Sequence, residues 1–332
     1  MPRFVIFGAG AIGGVIGGRL FEHGYDVVLL ARGAHHDAIE AHGLTLRSGD
    51  ETRVLRIPVA RDPAEARLGR EDVVIVAVKS QDGSSALAAL SNAEPPGVWR
   101  DAGASVAVMC AQNGVENERH ALRLFDAVYG LMVMCPASHL SPGVVEAHSS
   151  PLTGILDVGR YPSGLNDRVE SVAAAFREAT FLSEARSDIG RWKYGKLLTN
   201  LGNAAEAICG PGTRGGAIPK RAYDEGVACL EAAGIDFVGA AEFAERHREL
   251  LALAPPAGTA PPGNSSWQSL MRGTGSIETD YLNGEIVMLG RRYGVPTPVN
   301  VTLQRLANAL ARNRREPGVM TETEFLAEVD RA

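Results

Sequence analysis

Over its first half the chain alternates short, wholly apolar runs with helical patterns. RFVIF (3–7), DVVLLAR (26–32), DVVIVAV (72–78) and ASVAVMC (104–110) place apolar residues side by side without polar alternation. Unbroken runs of this kind predict strands covered on both faces, as in a parallel sheet. A helical pattern follows the first strand through Leu20 and closes at His23-Gly24. Strands interleaved with helices predict βαβ units. From about Ala127 the strand-like segments AVYGLMVM, GVVEAHSS, GILDVG and ATFLSEA crowd together and are expected to finish the sheet with smaller, partly antiparallel additions. After about Asp188 the strand patterns stop. RWKYGKLLTNLGNAAEAI, residues 216–252, SIETDYLNGEIVMLGRRYG and NVTLQRLANALARN all show helical spacing. The Pro- and Gly-rich stretch LAPPAGTAPPGN (253–264) reads as a mobile or functional connection. The expected organisation is an α/β domain over 1–187 and an all-helical domain over 188–332.

Chemistry enters at the first turn. GAGAIGG (8–14) follows the first strand and opens the first helix, and Gly8, Gly10 and Gly13 fit G-x-G-x-x-G. In that motif the first glycine makes the tight turn, the second admits a pyrophosphate close to the backbone, and the third lets helix and strand pack. The helix start then offers N–H groups to the phosphates, so Gly8, Ala9, Gly10, Ala11, Ile12 and Gly13 form the candidate cofactor turn. The first domain is therefore expected to be Rossmann-like. The end of the second strand reads Ala31-Arg32-Gly33, without the acid that an NAD site places on the ribose. An arginine there suits the 2′-phosphate of NADP, so NADP (NADPH) is the expected cofactor and Arg32 its discriminating contact. Lys79, after the third strand, is a second positive group at the carboxyl edge of the sheet. Gln112-Asn113-Gly114 ends the next strand at that edge, either as a plain turn or as a polar group directed at the nicotinamide.

Composition narrows the partners. The 332 residues exceed what one small core needs, which favours two domains. With 45% hydrophobic and 22% charged residues the profile is that of a soluble globular protein, and no apolar run reaches membrane-spanning length. A net charge of −6 leaves no basic excess to neutralise a phosphate backbone, so nucleic acid is not an expected partner. MPRFVIFGAG lacks the layout of a signal peptide. Cys110, Cys135, Cys209 and Cys229 are widely spaced without a CxxC pair, which points to reduced thiols in a cytoplasmic setting and no metal site.

The second half must supply a substrate site and a proton source. Reduction of a ketone by hydride leaves an alkoxide that a general acid protonates. The eight histidines are scattered, and none forms a constellation. In RWKYGKLLTN (191–200), Lys196 and Asn200 are i, i+4 on one helix face. Lys193 shares that face, so spacing does not choose between the two lysines. Downstream, Asn264, Ser265 and Ser266 lie where a helix starts, either as a simple cap or as a hydroxyl and N–H set for a substrate carboxylate. Glu278 follows within SIETD.

Taken in order, GAGAIGG, Arg32, Lys79 in VKSQ, Asn113-Gly114, Lys196-Leu197-x-x-Asn200, Ser265-Ser266, Glu278 in IETDYLNGEIV and GVPTPVN (294–300) resemble the ketopantoate reductase family over nearly the whole chain. The resemblance implies a Rossmann-like domain joined to a helical domain like the C-terminal domain of 6-phosphogluconate dehydrogenase. It also implies a homodimer, and NADPH-dependent reduction of 2-dehydropantoate to pantoate. It makes Lys196 the general acid and Lys193 a bystander, with Glu278 beside it in the catalytic set. Asn200, Asn264, Ser265 and Ser266 become substrate-binding, and Ala137 joins the cofactor-binding set. Three positions depart from the family pattern: Ala204 and Arg214 stand where asparagines are usual, and Ser269 where an aspartate is common. These departures leave open another branched 2-oxo acid or ketone as substrate, or a NADPH-binding sensor without turnover.

Overall fold

The computed structural model describes residues 2–93, 106–248, 255–256 and 263–331, the side chains of 247–248 excepted. Most of the Pro- and Gly-rich connection at 253–264 lies outside the described residues, as do residues 104–105 of the fourth apolar run. The chain divides into two compact units, residues 1–190 with 244–261, and residues 191–243 with 262–332. The first break follows Gly190, against the 187/188 boundary expected from the sequence. The return of 244–261 to the first unit was not legible in the pattern. Its physical reason is Asp157, a fully buried carboxylate in a strand. Arg246 donates to both of its oxygens, at 2.7 and 3.2 Å. A buried charge demands such a partner wherever the chain can supply it.

The first unit begins with β1 (Phe4–Phe7), α1 (Ala11–Glu22), β2 (Val27–Leu30) and α2 (Gly33–His42). A hairpin of β3 (Leu44–Ser48) and β4 (Glu51–Leu55) follows, then β5 (Val59–Ala60), β6 (Val73–Val76), α3 (Ser80–Asn92), β7 (Ala107–Cys110) and α4 (Glu116–Ala121). It continues with β8 (Val128–Met134), β9 (Ala137–Ser138), β10 (Val144–Ala147), β11 (Gly154–Arg160), α5 (Asp167–Glu178) and β12 (Phe181–Leu182). Eight strands form one sheet in the order β12-β11-β8-β7-β6-β1-β2-β5. All neighbours run parallel except β11 against β8.

The unbroken apolar runs are explained by two cores. Phe4, Ile6, Val73, Ile75 and Met109 face one layer with α1 and α5, while Val5, Phe7, Val74, Val76 and Val108 face the other with α3 and α4. The segment GVVEAHSS does not join this sheet. It forms β10, which pairs with β3 and β9 in a separate sheet ordered β4-β3-β10-β9. Helix α1 lies between the two sheets. A Cβ on Gly17 would stand 2.7 Å from Leu29 of the large sheet, and one on Gly14 would stand 2.6 Å from Val145 of the small one. The GGVIGG sequence thus serves two close approaches, which a periodicity reading of one helix face does not reveal.

Every described element after β12 is helical. Helix α6 (Ile189–Asn200) leads into α7 (Asn203–Cys209), a short 3-10 turn at Pro211–Thr213, α8 (Ala217–Ala232) and α9 (Ala240–Arg248). Then come α10 (Ser265–Met271), a 3-10 turn at Glu278–Tyr281, α11 (Asn283–Tyr293), α12 (Pro298–Arg312) and α13 (Glu322–Val329). The segment expected to be helical from Ser276 to Gly294 therefore splits into a tight turn and a helix. In the second unit, buried amides pin the helices together. Asn283 Nδ2 donates to Asn300 Oδ1 at 2.9 Å and to Leu201 O, and Asn300 Nδ2 donates to Ala222 O. Glu225 accepts the Val299 and Asn300 N–H groups at the start of α12. No helix among the described residues is long and apolar enough to cross a membrane. None of the four cysteines forms a disulfide; Cys110, Cys135 and Cys229 are buried and Cys209 is partly exposed.

Candidate active site

The glycine turn has the geometry its motif requires. Gly8 sits at φ +108°, a conformation that side-chain-bearing residues avoid, and a Cβ there would lie 2.7 Å from Val78 N. A Cβ on Gly13 would lie 2.1 Å from Gly8 O, so only glycine lets α1 pack onto β1. At Gly10 nothing stands within 4 Å of the Cβ position. Turn, open approach and close packing fall on Gly8, Gly10 and Gly13 in the order that a pyrophosphate site needs, and this cradle fits a dinucleotide.

Three of the other first-unit candidates, Arg32, Lys79 and Asn113, gather at the same sheet edge. Arg32 ends β2 as the residue preceding α2, with an exposed side chain that joins no ion pair among the described residues. Lys79 precedes α3 after β6. Asn113 follows β7 and is partly buried. In the sheet order β7-β6-β1-β2, these residues and the glycine turn sit at the carboxyl ends of four adjacent parallel strands. That is the edge where open α/β sheets bind ligands. Ala137 opens β9 in the smaller sheet.

In the second unit, α6 carries the lysine pair. Lys193 is buried, with 4% of its surface exposed, and is engaged by a neighbouring group. Lys196 keeps part of its surface exposed, yet desolvation lowers its pKa from 10.5 to about 8. An ammonium taken out of water without compensation loses its proton more readily, which is how a lysine becomes a workable acid near neutral pH. One turn further on, Asn200 is 5% exposed, and its Nδ2 is buried without a hydrogen-bond partner among the described residues. A buried amide donor left unmet costs about 1–3 kcal/mol.

The serine turn is built differently from the simplest reading. Asn264 caps α10, its side chain accepting from the Ser266 and Trp267 N–H groups at 3.0 Å each. Those two amides are therefore met by Asn264 and are not open to a substrate carboxylate. Ser266 is 3% exposed. The Asn264 Nδ2 in turn donates to Asn203 O and to Glu206 Oε2, so its amide serves the protein's own framework. Glu206 is the organiser that the sequence did not disclose. Its carboxylate is buried, accepts both the backbone and side-chain N–H groups of Asn264, and is clasped by Arg214 Nε and Nη2. An acid in the apolar stretch NAAEAI, eight residues from an arginine in a glycine-rich turn, was the only available signal. Arg214 is thereby committed to Glu206. Ala204 is buried at 1% exposure, and the Ser269 hydroxyl donates to Ser265 O inside its own helix. Glu278 begins the 3-10 turn, partly buried, and its charge bears on Arg272, whose pKa burial lowers.

With this geometry in view, the comparisons with known proteins are specific. Residues 4–163 match the model of the family described as ketopantoate reductase PanE/ApbA, and residues 188–311 match that of its C-terminal domain. A 2-dehydropantoate 2-reductase of Pyrococcus horikoshii is 30% identical over 311 residues, covering 92% of this chain and 97% of the relative. The crystal structure of a ketopantoate reductase family protein from Ralstonia eutropha JMP134 superposes with a TM-score of 0.76 at 28% identity, covering 94% of this chain and 99% of that one. The structure of D-mandelate dehydrogenase with NADH and anilino(oxo)acetate has a TM-score of 0.77 at 20% identity over 94% of this chain and 99% of that one, a likeness of fold. The glycine turn, the lysine helix and these full-length likenesses agree: the chain belongs to the ketopantoate reductase family of nicotinamide-dependent oxidoreductases.

Proposed function

We propose that the chain reduces a 2-oxo acid to the 2-hydroxy acid with NADPH, and that 2-dehydropantoate, giving pantoate, is the substrate. The observation that carries this reading is the pair on α6: a lysine brought to a pKa of about 8, and, one turn away, a buried amide donor with no partner among the described residues. When bound, the reduced nicotinamide supplies the hydride to the keto carbon. Lys196 Nζ gives its proton to the oxygen on which negative charge develops, and Asn200 Nδ2 donates a hydrogen bond to the substrate. The Ser266 hydroxyl holds the substrate carboxylate, with Ser265 beside it. Glu278 orients the reacting groups. Gly8 to Gly13 take the pyrophosphate, Arg32 the 2′-phosphate, and Lys79, Asn113 and Ala137 complete the cofactor contacts. The family likeness supports a homodimer working in the cytoplasm.

A second reading keeps the chemistry and changes the acid. Ala204 puts a buried methyl where the family pattern has an amide, and Arg214 is held by Glu206. A site that hydrogen-bonds a hydroxyl rejects analogues lacking it, so loss of such a partner redirects preference toward another branched 2-oxo acid. Following NADPH absorbance with purified protein against 2-dehydropantoate and a panel of branched 2-oxo acids tests both. Fastest turnover of 2-dehydropantoate supports the first reading, a better panel member the second, and no turnover of any of them removes both.

A further inference from the structure

The glycine turn is tied to the rest of the first unit by a histidine that the proposed chemistry does not use. His35 lies in the first turn of α2, three residues after Arg32. Its Nδ1 is 2.9 Å from the Gly143 amide nitrogen, and its Nε2 is 2.7 Å from the Ala9 carbonyl oxygen. An amide N–H only donates, so Nδ1 is an acceptor and the ring proton resides on Nε2, which donates to Ala9 O. The His139 ring packs against it, tilted by 48° with centroids 4.1 Å apart, and His139 Nδ1 is held by Val144 O at 2.9 Å. One imidazole thus joins three separate stretches: the turn at 8–10, the start of α2, and the turn that enters β10.

The Ala9 carbonyl matters because of what is bonded to it. In a planar trans peptide the C=O and the next N–H point in opposite directions. Fixing Ala9 O therefore fixes the direction of the Gly10 N–H, at the residue that caps α1 and has open space around its Cβ position. The Ala9 carbonyl also stands 2.9 Å from where a Cβ on Gly14 would lie, so the glycine at 14 leaves this carbonyl its place.

We infer that His35 is a positioning residue for the cofactor: its Nε2–H holds the Ala9–Gly10 peptide in the orientation that binds pyrophosphate, and couples that turn to the segment bearing Arg32. The inference rests on the reading of Gly8 to Gly13 as the pyrophosphate turn. The test is NADPH titration, followed by nicotinamide fluorescence, of the unaltered chain and of His35→Gln, His35→Asn and His35→Ala. Glutamine places an amide N–H where imidazole has Nε2 and keeps the bond to Ala9. Asparagine places its oxygen near the Nδ1 position and keeps only the bond to Gly143. The expected result is a Kd within about threefold of the unaltered chain for His35→Gln, and weaker by about tenfold for His35→Asn and His35→Ala, the loss of one well-placed hydrogen bond. With NADPH saturating, kcat and the KM for the keto acid stay unchanged in all three. If His35→Asn and His35→Ala bind as tightly as the unaltered chain, or His35→Gln as weakly as His35→Ala, the role of His35 is overturned alone. If the unaltered chain binds no dinucleotide, the cofactor reading falls and takes this role with it.

Discussion

Lys196 predicts opposite effects of one substitution on activity and on stability. Lowering a lysine from 10.5 to about 8 corresponds to roughly 3 kcal/mol of differential stabilisation against the charged form. Below pH 8 the folded chain keeps Lys196 charged at that cost. Between about pH 8 and 10.5 the unfolded chain binds the extra proton, so stability attributable to this group rises with pH across that window. At neutral pH, Lys196→Met removes the cost while keeping the stem's packing, and the fold is expected to gain about 1–3 kcal/mol, read as a Tm rise of roughly 2–4 °C per kcal/mol. The same substitution is expected to lower kcat by about 10²–10⁴-fold, the range for loss of a general acid. In the unaltered enzyme the proton donor is about 90% charged at pH 7 and about 10% at pH 9, so reduction slows by close to tenfold over that interval. A lysine at 10.5 gives almost no change there. Scanning fluorimetry and NADPH-oxidation rates from pH 6 to 10 read both effects. A less stable Lys196→Met chain with an unchanged pH–rate profile refutes the argument.

The remaining predictions address neighbouring groups. Asn200→Ala is expected to raise the KM for the keto acid by about 10–100-fold, while leaving Tm equal or higher because an unmet buried donor is removed; a large Tm loss contradicts its reading as a substrate contact. Arg32→Ala weakens NADPH by about 10–100-fold and NADH by little, by loss of charge-assisted bonds to the 2′-phosphate, and equal losses count against that role. Lys193→Ala, by contrast, is expected to leave the pH–rate profile of reduction unchanged, and a shifted profile reopens the choice between the two lysines. Arg214→Ala leaves the buried Glu206 with the N–H groups of Asn264 as its remaining donors among the described residues, and costs about 1–2 kcal/mol by urea denaturation after allowance for the exposure of the arginine; no change in midpoint means the ion pair is not holding the serine turn.

The sequence by itself determined the features that are local and periodic. The runs at Phe4–Phe7, Val27–Leu30 and Val73–Val76 became parallel strands because continuous Val, Ile and Leu leave no face for water. The glycine turn could be read because each glycine answers a backbone requirement within a few residues. The helical half followed from spacing, and the lysine–asparagine pair from i, i+4 geometry. Tertiary structure decided what depends on chain segments far apart. Which sheet β10 joins is set by β3, some hundred residues earlier, and the GVVEAHSS pattern is the same in either sheet. Spacing left Lys193 and Lys196 equivalent, and only the surroundings of α6 lower the pKa of Lys196. The serine turn read equally as a cap or as a set of open amides until Glu206, Arg214 and Asn264 were brought together across 58 residues. Desolvation and hydrogen-bond satisfaction are properties of the packed neighbourhood, so no local pattern of residue types encodes them.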